Sequence, residues 1–176
     1  MMLAPPYGSP EHLPQTLVQQ GFAALSPQGV AGLAGCGPDA LAALGPSWNE
    51  LPADQYLKDG GKYRSRRHSS FVQTIDPPAL GQTAHRAHWQ PVDYNALHGG
   101  MQRWFEPVLP QTVQQAAWSA LTLALARVCS AQRSVPRWYV EAHQFRIDTS
   151  DGVGRPTPEG AHRDGVDFVA VLVVGR

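Results

Sequence analysis

The sequence predicts an α+β protein in which helices pack outside a β-rich core. Capped amphipathic stretches occupy the first quarter of the chain, and a longer helical pattern lies at 111–133. Runs with strand character lie at 62–75, 138–148 and 167–174. Glycine (17 residues) and proline (16 residues) each approach a tenth of the 176 residues, which favours a loop-rich β fold over a helical bundle.

Length and composition predict a single domain over residues 1–176. The chain has 14 basic and 14 acidic residues, so no nucleic-acid or membrane partner is predicted. It contains no run of 18 apolar residues, and the N-terminus lacks the basic and apolar regions of a signal peptide. Cys36 and Cys129 form no spacing motif, which predicts two reduced thiols and a cytoplasmic location.

The N-terminal part is predicted to be a flexible leader over residues 1–9, followed by three short helices. Ser9 caps the first helix, and Gly21 ends it. Ser26 and Pro27 begin the second, which ends near Gly35. The third covers 38–44, and a short strand is expected at 22–25. The helices should form a layer on one face of a sheet.

The 62–75 strand contains an arginine cluster. Alternation places Arg64, Arg66 and His68 on one side of the strand. The other side carries Tyr63, Ser65, Arg67 and Ser69. Three interpretations stay open: a solvated face, a carboxylate-binding site, for which guanidinium geometry is suited, and a phosphate or RNA patch.

Further histidines lie in two other predicted strands. At 83–90, His85 and His88 would face opposite sides, so this pair is not expected to share a metal. The 138–148 strand carries polar groups on both faces, which is typical of a polar pocket inside a barrel. Its His143 is either a hydrogen-bonded histidine at the barrel edge or part of the pocket lining. The helix at 111–133 is predicted to be structural.

Near the C-terminus, a Gly/Pro loop leads into the apolar run at 167–174, which is predicted to be a buried strand. His162 and Asp164 lie two residues apart just before it, so in an extended segment both side chains point to the same side. They could therefore reach one metal ion. Two histidines and one carboxylate form the facial triad of non-haem Fe(II) oxygenases. The H-x-D pair alone is a weak signal.

Three motifs carry a resemblance to a known family. They are P-T-P-E-G-x-H-R-D-G at 156–165, H-Q-F-R-I at 143–147 and Y-R-S-R-R at 63–67. From about Phe22 to the last residue, the chain resembles the small 2-oxoglutarate/Fe(II) dioxygenases. That group includes free amino acid hydroxylases of the isoleucine 4-hydroxylase type and biofilm-stress proteins. The resemblance implies a double-stranded β-helix, a jelly-roll or cupin-like core with flanking helices.

The resemblance also implies the cofactors and the ligands. Fe(II), 2-oxoglutarate and O2 would be required, with ascorbate in assays, and His162 and Asp164 would be the catalytic iron ligands. Candidate residues for cofactor binding are Arg64, Arg66, Arg67, His143, Gln144 and Arg146. The family's second histidine ligand follows the aspartate by several strands, but none of the residues after Asp164 is a histidine. The distal histidine, the 2-oxoglutarate arginine and the last strands are therefore expected beyond Arg176.

The predicted function is hydroxylation of a small-molecule substrate, namely a free aliphatic L-amino acid, with a homo-oligomer as an open option. One alternative is a non-catalytic metal-binding cupin-like domain that acts as a sensor or regulator. A second alternative is a structural fragment of a longer chain, whose open strand edges would favour association.

Overall fold

The computed structural model describes residues 6–57, 62–94, 99–150, 152, 154 and 164–175. Helices form the N-terminal part of the fold. A 3-10 helix at Pro10–His12 leads into α1 (Leu13–Gln20), followed by α2 (Pro27–Ala34), α3 (Pro38–Ala42) and a second 3-10 helix at Gly45–Glu50. After the first two strands come α4 (Pro110–Val113) and α5 (Ala116–Gln132). None of the described helices is long and apolar enough to span a bilayer.

Local capping explains why the first helices begin and end where the sequence predicts. The Ser9 side chain accepts a hydrogen bond from the Glu11 amide, and the Ser26 side chain accepts one from the Gly29 amide at 3.1 Å. Gly21 follows α1 with a left-handed φ of 76°, a conformation that glycine adopts without a steric penalty.

Within the residues that the structure describes, the sheet has three antiparallel strands in the order β2-β1-β3. They are β1 (Arg64–Thr74), β2 (Ala79–Gln82) and β3 (Arg137–Ile147). β1 and β3 pair along their full lengths, and His68 lies directly opposite His143. Because side chains alternate across a strand, β1 sends its odd-numbered residues to one face of the sheet and its even-numbered residues to the other. A mixed fold with an antiparallel sheet is therefore confirmed.

The odd-numbered face of β1 packs against the helices. Phe71 is 1% exposed, and its ring lies 5.9 Å from the Trp118 ring of α5. Leu44, Val108 and Ala117 complete this buried cluster. Burial of these apolar side chains is the main stabilising contribution to this layer. A helical layer covers this face, but α5 and the region around Leu41 and Leu44 form it; α1 and α2 pack against α5.

Four local predictions are wrong. Residues 22–25 form no strand, and Phe22 is 66% exposed. The 111–133 helix is interrupted at Gln115, whose extended ψ of 133° breaks the helical ladder. In 83–90, all of which the structure describes, the only strand-type pairing is an isolated bridge between His88 and Arg103.

The fourth concerns 167–174, which forms no strand; within it Val171 is 84% exposed. No strand of the described residues pairs with it, so its apolar side chains have no sheet to be buried in. Cys36 and Cys129 are free thiols, as predicted.

Candidate metal centre

The face of the sheet opposite the helices is polar and largely buried. It carries Arg64, Arg66 and His68 from β1, and Glu141 and His143 from β3. Residues directly opposite each other on antiparallel strands share a face, so the pairing of His68 with His143 brings two imidazoles together. Their ring centroids lie 4.6 Å apart in a stacked arrangement.

A segment between β2 and α4 covers this face and adds a third imidazole. The backbones of His88 and Arg103 bond to each other in both directions, at 2.9 and 3.0 Å, which fixes the position of His88. The amide of His68 donates to the Glu106 carbonyl at 3.0 Å and ties the same segment to β1. The His88 ring consequently lies 4.8 Å from the His143 ring.

The three imidazoles surround one carboxylate. His68 Nε2 lies 3.4 Å from Glu141 Oε1, and His88 Nδ1 lies 3.2 Å from Glu141 Oε2. One ligand atom from each of His68, His88, Glu141 and His143 can be chosen so that all four lie within 4.8 Å of one another. This cluster could hold a metal ion. Imidazole and carboxylate ligands suit iron and zinc.

The protonation states also suit a metal. Burial lowers the pKa of His143 well below its ordinary value, and it lowers the pKa of His88 as well, so both rings are neutral at pH 7. Burial would raise the pKa of Glu141, but its close contacts with His68 and His88 outweigh that effect and lower it to about 2. His88 and His143 are therefore neutral imidazoles beside the ionised carboxylate of Glu141.

The Arg66 guanidinium lies beside the cluster. It is stacked on the Phe105 ring at 3.8 Å and on the Phe145 ring at 4.4 Å. Burial lowers the pKa of Arg66 to about 9, and the nearby charge of Asp54 partly offsets this effect. Arg66 therefore remains a cation at neutral pH. Asp54 also pairs with Arg64 at 2.7 Å. Asp54 therefore lies within ion-pair distance of both buried guanidiniums.

Asp164, the predicted iron ligand, lies close to this covering segment. Its Oδ1 accepts a hydrogen bond from Gln90 Nε2 at 3.3 Å, and Gln90 is two residues from His88. Gly165 has a left-handed φ of 71°, and a Cβ there would lie 2.7 Å from the Tyr94 ring. The glycine of the H-R-D-G motif is therefore required for the chain to pass Tyr94. His162, the other predicted ligand, lies outside the described residues.

The six candidate cofactor-binding residues divide between the two faces. Arg64, Arg66 and His143 lie on the polar face. The other three point to the helical side. Arg67 donates to the Pro107 carbonyl at 3.0 Å and to the Glu50 carbonyl at 3.1 Å. Gln144 donates to Ser47 Oγ at 2.7 Å, and Arg146 approaches the Trp48 carbonyl at 3.5 Å.

Sequence reasoning missed the cluster. It considered His88 only together with His85 and rejected that pair. The structure agrees that the two do not converge, because His85 is exposed and bonds to the Phe105 carbonyl at 2.8 Å. His88 instead joins His68 and Glu141, which were not singled out as ligands. The sequence offered one indication of this cluster, namely that alternation places His68 on the same side of its strand as Arg64 and Arg66.

A family model described as 2OG-Fe dioxygenase matches residues 45–176. The chain belongs to this family. Its membership implies Fe(II) and 2-oxoglutarate as cofactors and a small-molecule substrate, and the His/Glu cluster offers donors of the chemistry that Fe(II) accepts. None of the curated proteins matches the chain by sequence.

The solved structures that are similar to the chain include the following two. One is a bsmA homolog from Methylobium petroleophilum PM1, at 50% identity and a TM-score of 0.87, where the match covers 95% of this chain and 67% of that one. The other is IDO from Bacillus thuringiensis, at 12% identity and a TM-score of 0.56, covering 82% of this chain and 57% of that one. At that identity the second structure supports similarity of fold alone.

Proposed function

We propose that this protein is an Fe(II)- and 2-oxoglutarate-dependent dioxygenase that hydroxylates a free aliphatic L-amino acid. His162 and Asp164 are its proposed iron ligands, and a double-stranded β-helix is its proposed core. The observation that carries the proposal is the hydrogen bond from Gln90 to Asp164. Gln90 belongs to the segment that covers the buried polar face. An aspartate bonded to that segment, in a chain of this dioxygenase family, supports a role for Asp164 at a site on that face.

Arg66 is the residue best placed to bind a carboxylate. Its guanidinium is buried between two aromatic rings, where water competes little and an ion pair is stronger than at the surface. Both 2-oxoglutarate and an amino acid carry a carboxylate.

The bound cofactors supply the oxidative chemistry, in which decarboxylation of 2-oxoglutarate to succinate is coupled to hydroxylation of a substrate C–H bond. The protein's own contribution is binding and orientation. Arg66 fixes the carboxylate end of a ligand, and the rings of Phe105 and Phe145 exclude water around that contact. Gln90 orients the Asp164 carboxylate, since a hydrogen bond to a ligating oxygen restricts its rotation.

The test measures succinate release with Fe(II), ascorbate, 2-oxoglutarate and a panel of Leu, Ile and Met. A form of the protein that extends beyond Arg176 and includes the expected distal histidine should release succinate with at least one of these amino acids, and Asp164→Ala in that form should abolish the release. Asp167→Ala is the matched control, because Asp167 is an exposed carboxylate three residues further along. Absence of succinate from the extended form, or full activity of its Asp164→Ala variant, would overturn the proposal.

A second arm tests the carboxylate site. Arg66→Lys keeps the charge but loses the fork of parallel donors, so the KM for one ligand should rise roughly tenfold or more. Arg67→Lys is the control, because Arg67 lies on the opposite face of the same strand. If the KM for the keto acid rises, the cofactor is the ligand of Arg66. If the KM for the amino acid rises instead, the ligand is the substrate.

A non-catalytic metal-binding domain is the second candidate function. The observation that favours it is the buried cluster around Glu141, where His68 and His88 offer metal donors without His162. Metal binding by a protein that releases no succinate with any substrate would support this alternative.

A further inference from the structure

We infer that His68, His88 and Glu141 form a binding site for a divalent transition-metal ion that is independent of His162 and Asp164. The site is composed of two imidazoles and one carboxylate. It is built from β1, β3 and the segment that covers them, whereas the proposed iron ligands lie on the chain after β3. The inference goes beyond the proposed function, because that function needs one metal only.

The spacing of the donor atoms is close to the spacing around a bound metal ion. Around a four-coordinate ion with bonds of about 2.1 Å, neighbouring donor atoms lie roughly 3.4 Å apart. His68 Nε2 lies 3.4 Å from Glu141 Oε1 and His88 Nδ1 lies 3.2 Å from Glu141 Oε2, so each imidazole faces its own carboxylate oxygen at about this spacing. One ring nitrogen of each histidine can be chosen so that the two lie within 4.8 Å of each other, and a small rotation of either ring brings them closer.

Within the described part of the chain, several buried ring nitrogens of this cluster have no hydrogen-bond partner. His68 is 1% exposed, and neither of its ring nitrogens makes a hydrogen bond within the described part of the chain. The same holds for His88 Nδ1. Both rings approach Glu141 closely, but without hydrogen-bond geometry. Buried polar atoms are normally satisfied, because an unpaired one has lost its hydrogen bonds to water without replacement. A metal ion would satisfy His68 and His88 together.

His143 is excluded from the ligand set by its contact with Arg66. A guanidinium can only donate, so His143 Nδ1, at 2.6 Å from Arg66 Nη2, must accept that hydrogen bond. A neutral His143 then carries its hydrogen on Nε2, which cannot ligate a metal. His143 therefore packs against the ligands and leaves three protein donors, with further coordination positions for water or a ligand.

Nearby positive charge limits the affinity. The guanidiniums of Arg66 and Arg103 act electrostatically on this cluster, and Glu141 contributes one negative charge. We therefore expect weaker binding than at closed structural zinc sites, with an open position that an anion could occupy.

The experiment titrates Co²⁺ into tag-free, chelator-treated Asp164→Ala protein and records the visible d–d absorption and the metal stoichiometry. This background removes the proposed iron site. One equivalent of Co²⁺ should bind, and Zn²⁺ should displace it. Adding His88→Gln or Glu141→Gln should weaken binding by tenfold or more. The control His85→Ala removes an exposed imidazole and should change nothing.

Three results would overturn the inference. They are no Co²⁺ binding by the Asp164→Ala protein, unchanged binding in folded His88→Gln and Glu141→Gln variants, and an equal loss in His85→Ala. Should the variants fail to fold, ¹⁵N spectra of the histidine rings in the Asp164→Ala protein decide the question. Zn²⁺ should shift the ring nitrogens of His68 and His88, and unshifted signals would refute the site. Succinate release is not a readout, so a failure of the proposed function remains distinguishable.

Discussion

Replacing Asp54 by asparagine should destabilise the protein strongly. The Asp54 side chain is 0% exposed and lies 2.7 Å from Arg64 Nε and 3.9 Å from Arg66 Nη1. Asparagine has nearly the same shape and keeps an oxygen that can accept from the Tyr56 amide, a bond of 2.9 Å in the structure. The substitution therefore keeps the shape, removes the charge and replaces the oxygen that accepts from Arg64 by an amide group that can only donate.

The size of the effect follows from these distances. At an effective dielectric constant of about 20, unit charges at the two separations attract by roughly 6 and 4 kcal/mol, before desolvation is subtracted. Removing one partner of a buried ion pair typically costs about 3–5 kcal/mol, because the remaining charge stays buried. We expect the free energy of unfolding of Asp54→Asn to fall by about this amount.

Urea denaturation followed by circular dichroism and tryptophan fluorescence measures the change. Asp167→Asn is the comparison, because Asp167 pairs with Arg133 at the surface, where both side chains are more than half exposed. That substitution should cost about 0–1 kcal/mol. If Asp54→Asn costs no more than Asp167→Asn, the two guanidiniums do not depend on Asp54 and our account of the polar face is wrong.

Two further predictions concern the opposite face of the sheet. Phe71→Ala should lower the free energy of unfolding by about 3–5 kcal/mol, because it opens a cavity beneath Trp118; a loss below about 1 kcal/mol in the same urea assay would contradict the proposed core. Gln144→Leu should lower the free energy of unfolding by about 1 kcal/mol, because it removes the hydrogen bond to Ser47. The affinity for 2-oxoglutarate, measured by calorimetry, should stay unchanged. Weaker 2-oxoglutarate binding in that variant would show that Gln144 reaches the ligand.

The parts of the fold that local signals determine could be predicted from the sequence. Ser9 and Ser26 cap helices through bonds to residues two and three positions away, so a short window contains the whole interaction. The side of β1 to which each residue points also follows from alternation alone. The apolar run at 167–174 shows the limit of this reasoning. Its composition suits a buried strand, but burial requires a partner strand, which composition does not identify.

The cluster could not be predicted for a related reason. Its members come from β1, from the covering segment and from β3, and only the pairing of His68 with His143 brings the strands into position. That register is a property of two segments far apart in the chain. His88 was missed because its place depends on a single bridge to Arg103. A histidine on a polar strand was the only local indication, and many strands carry one.

The central position of β1 makes its register unusually well defined. A slip of one residue against β3 would exchange the two faces of the strand. Arg66 and His68 would then be driven into the apolar layer beneath α5, and Phe71 would lie among charged groups. Two independent penalties, buried charge and exposed aromatic surface, thus oppose the same pairing error. A strand of this kind rejects wrong alignments during folding more effectively than one with a single apolar face.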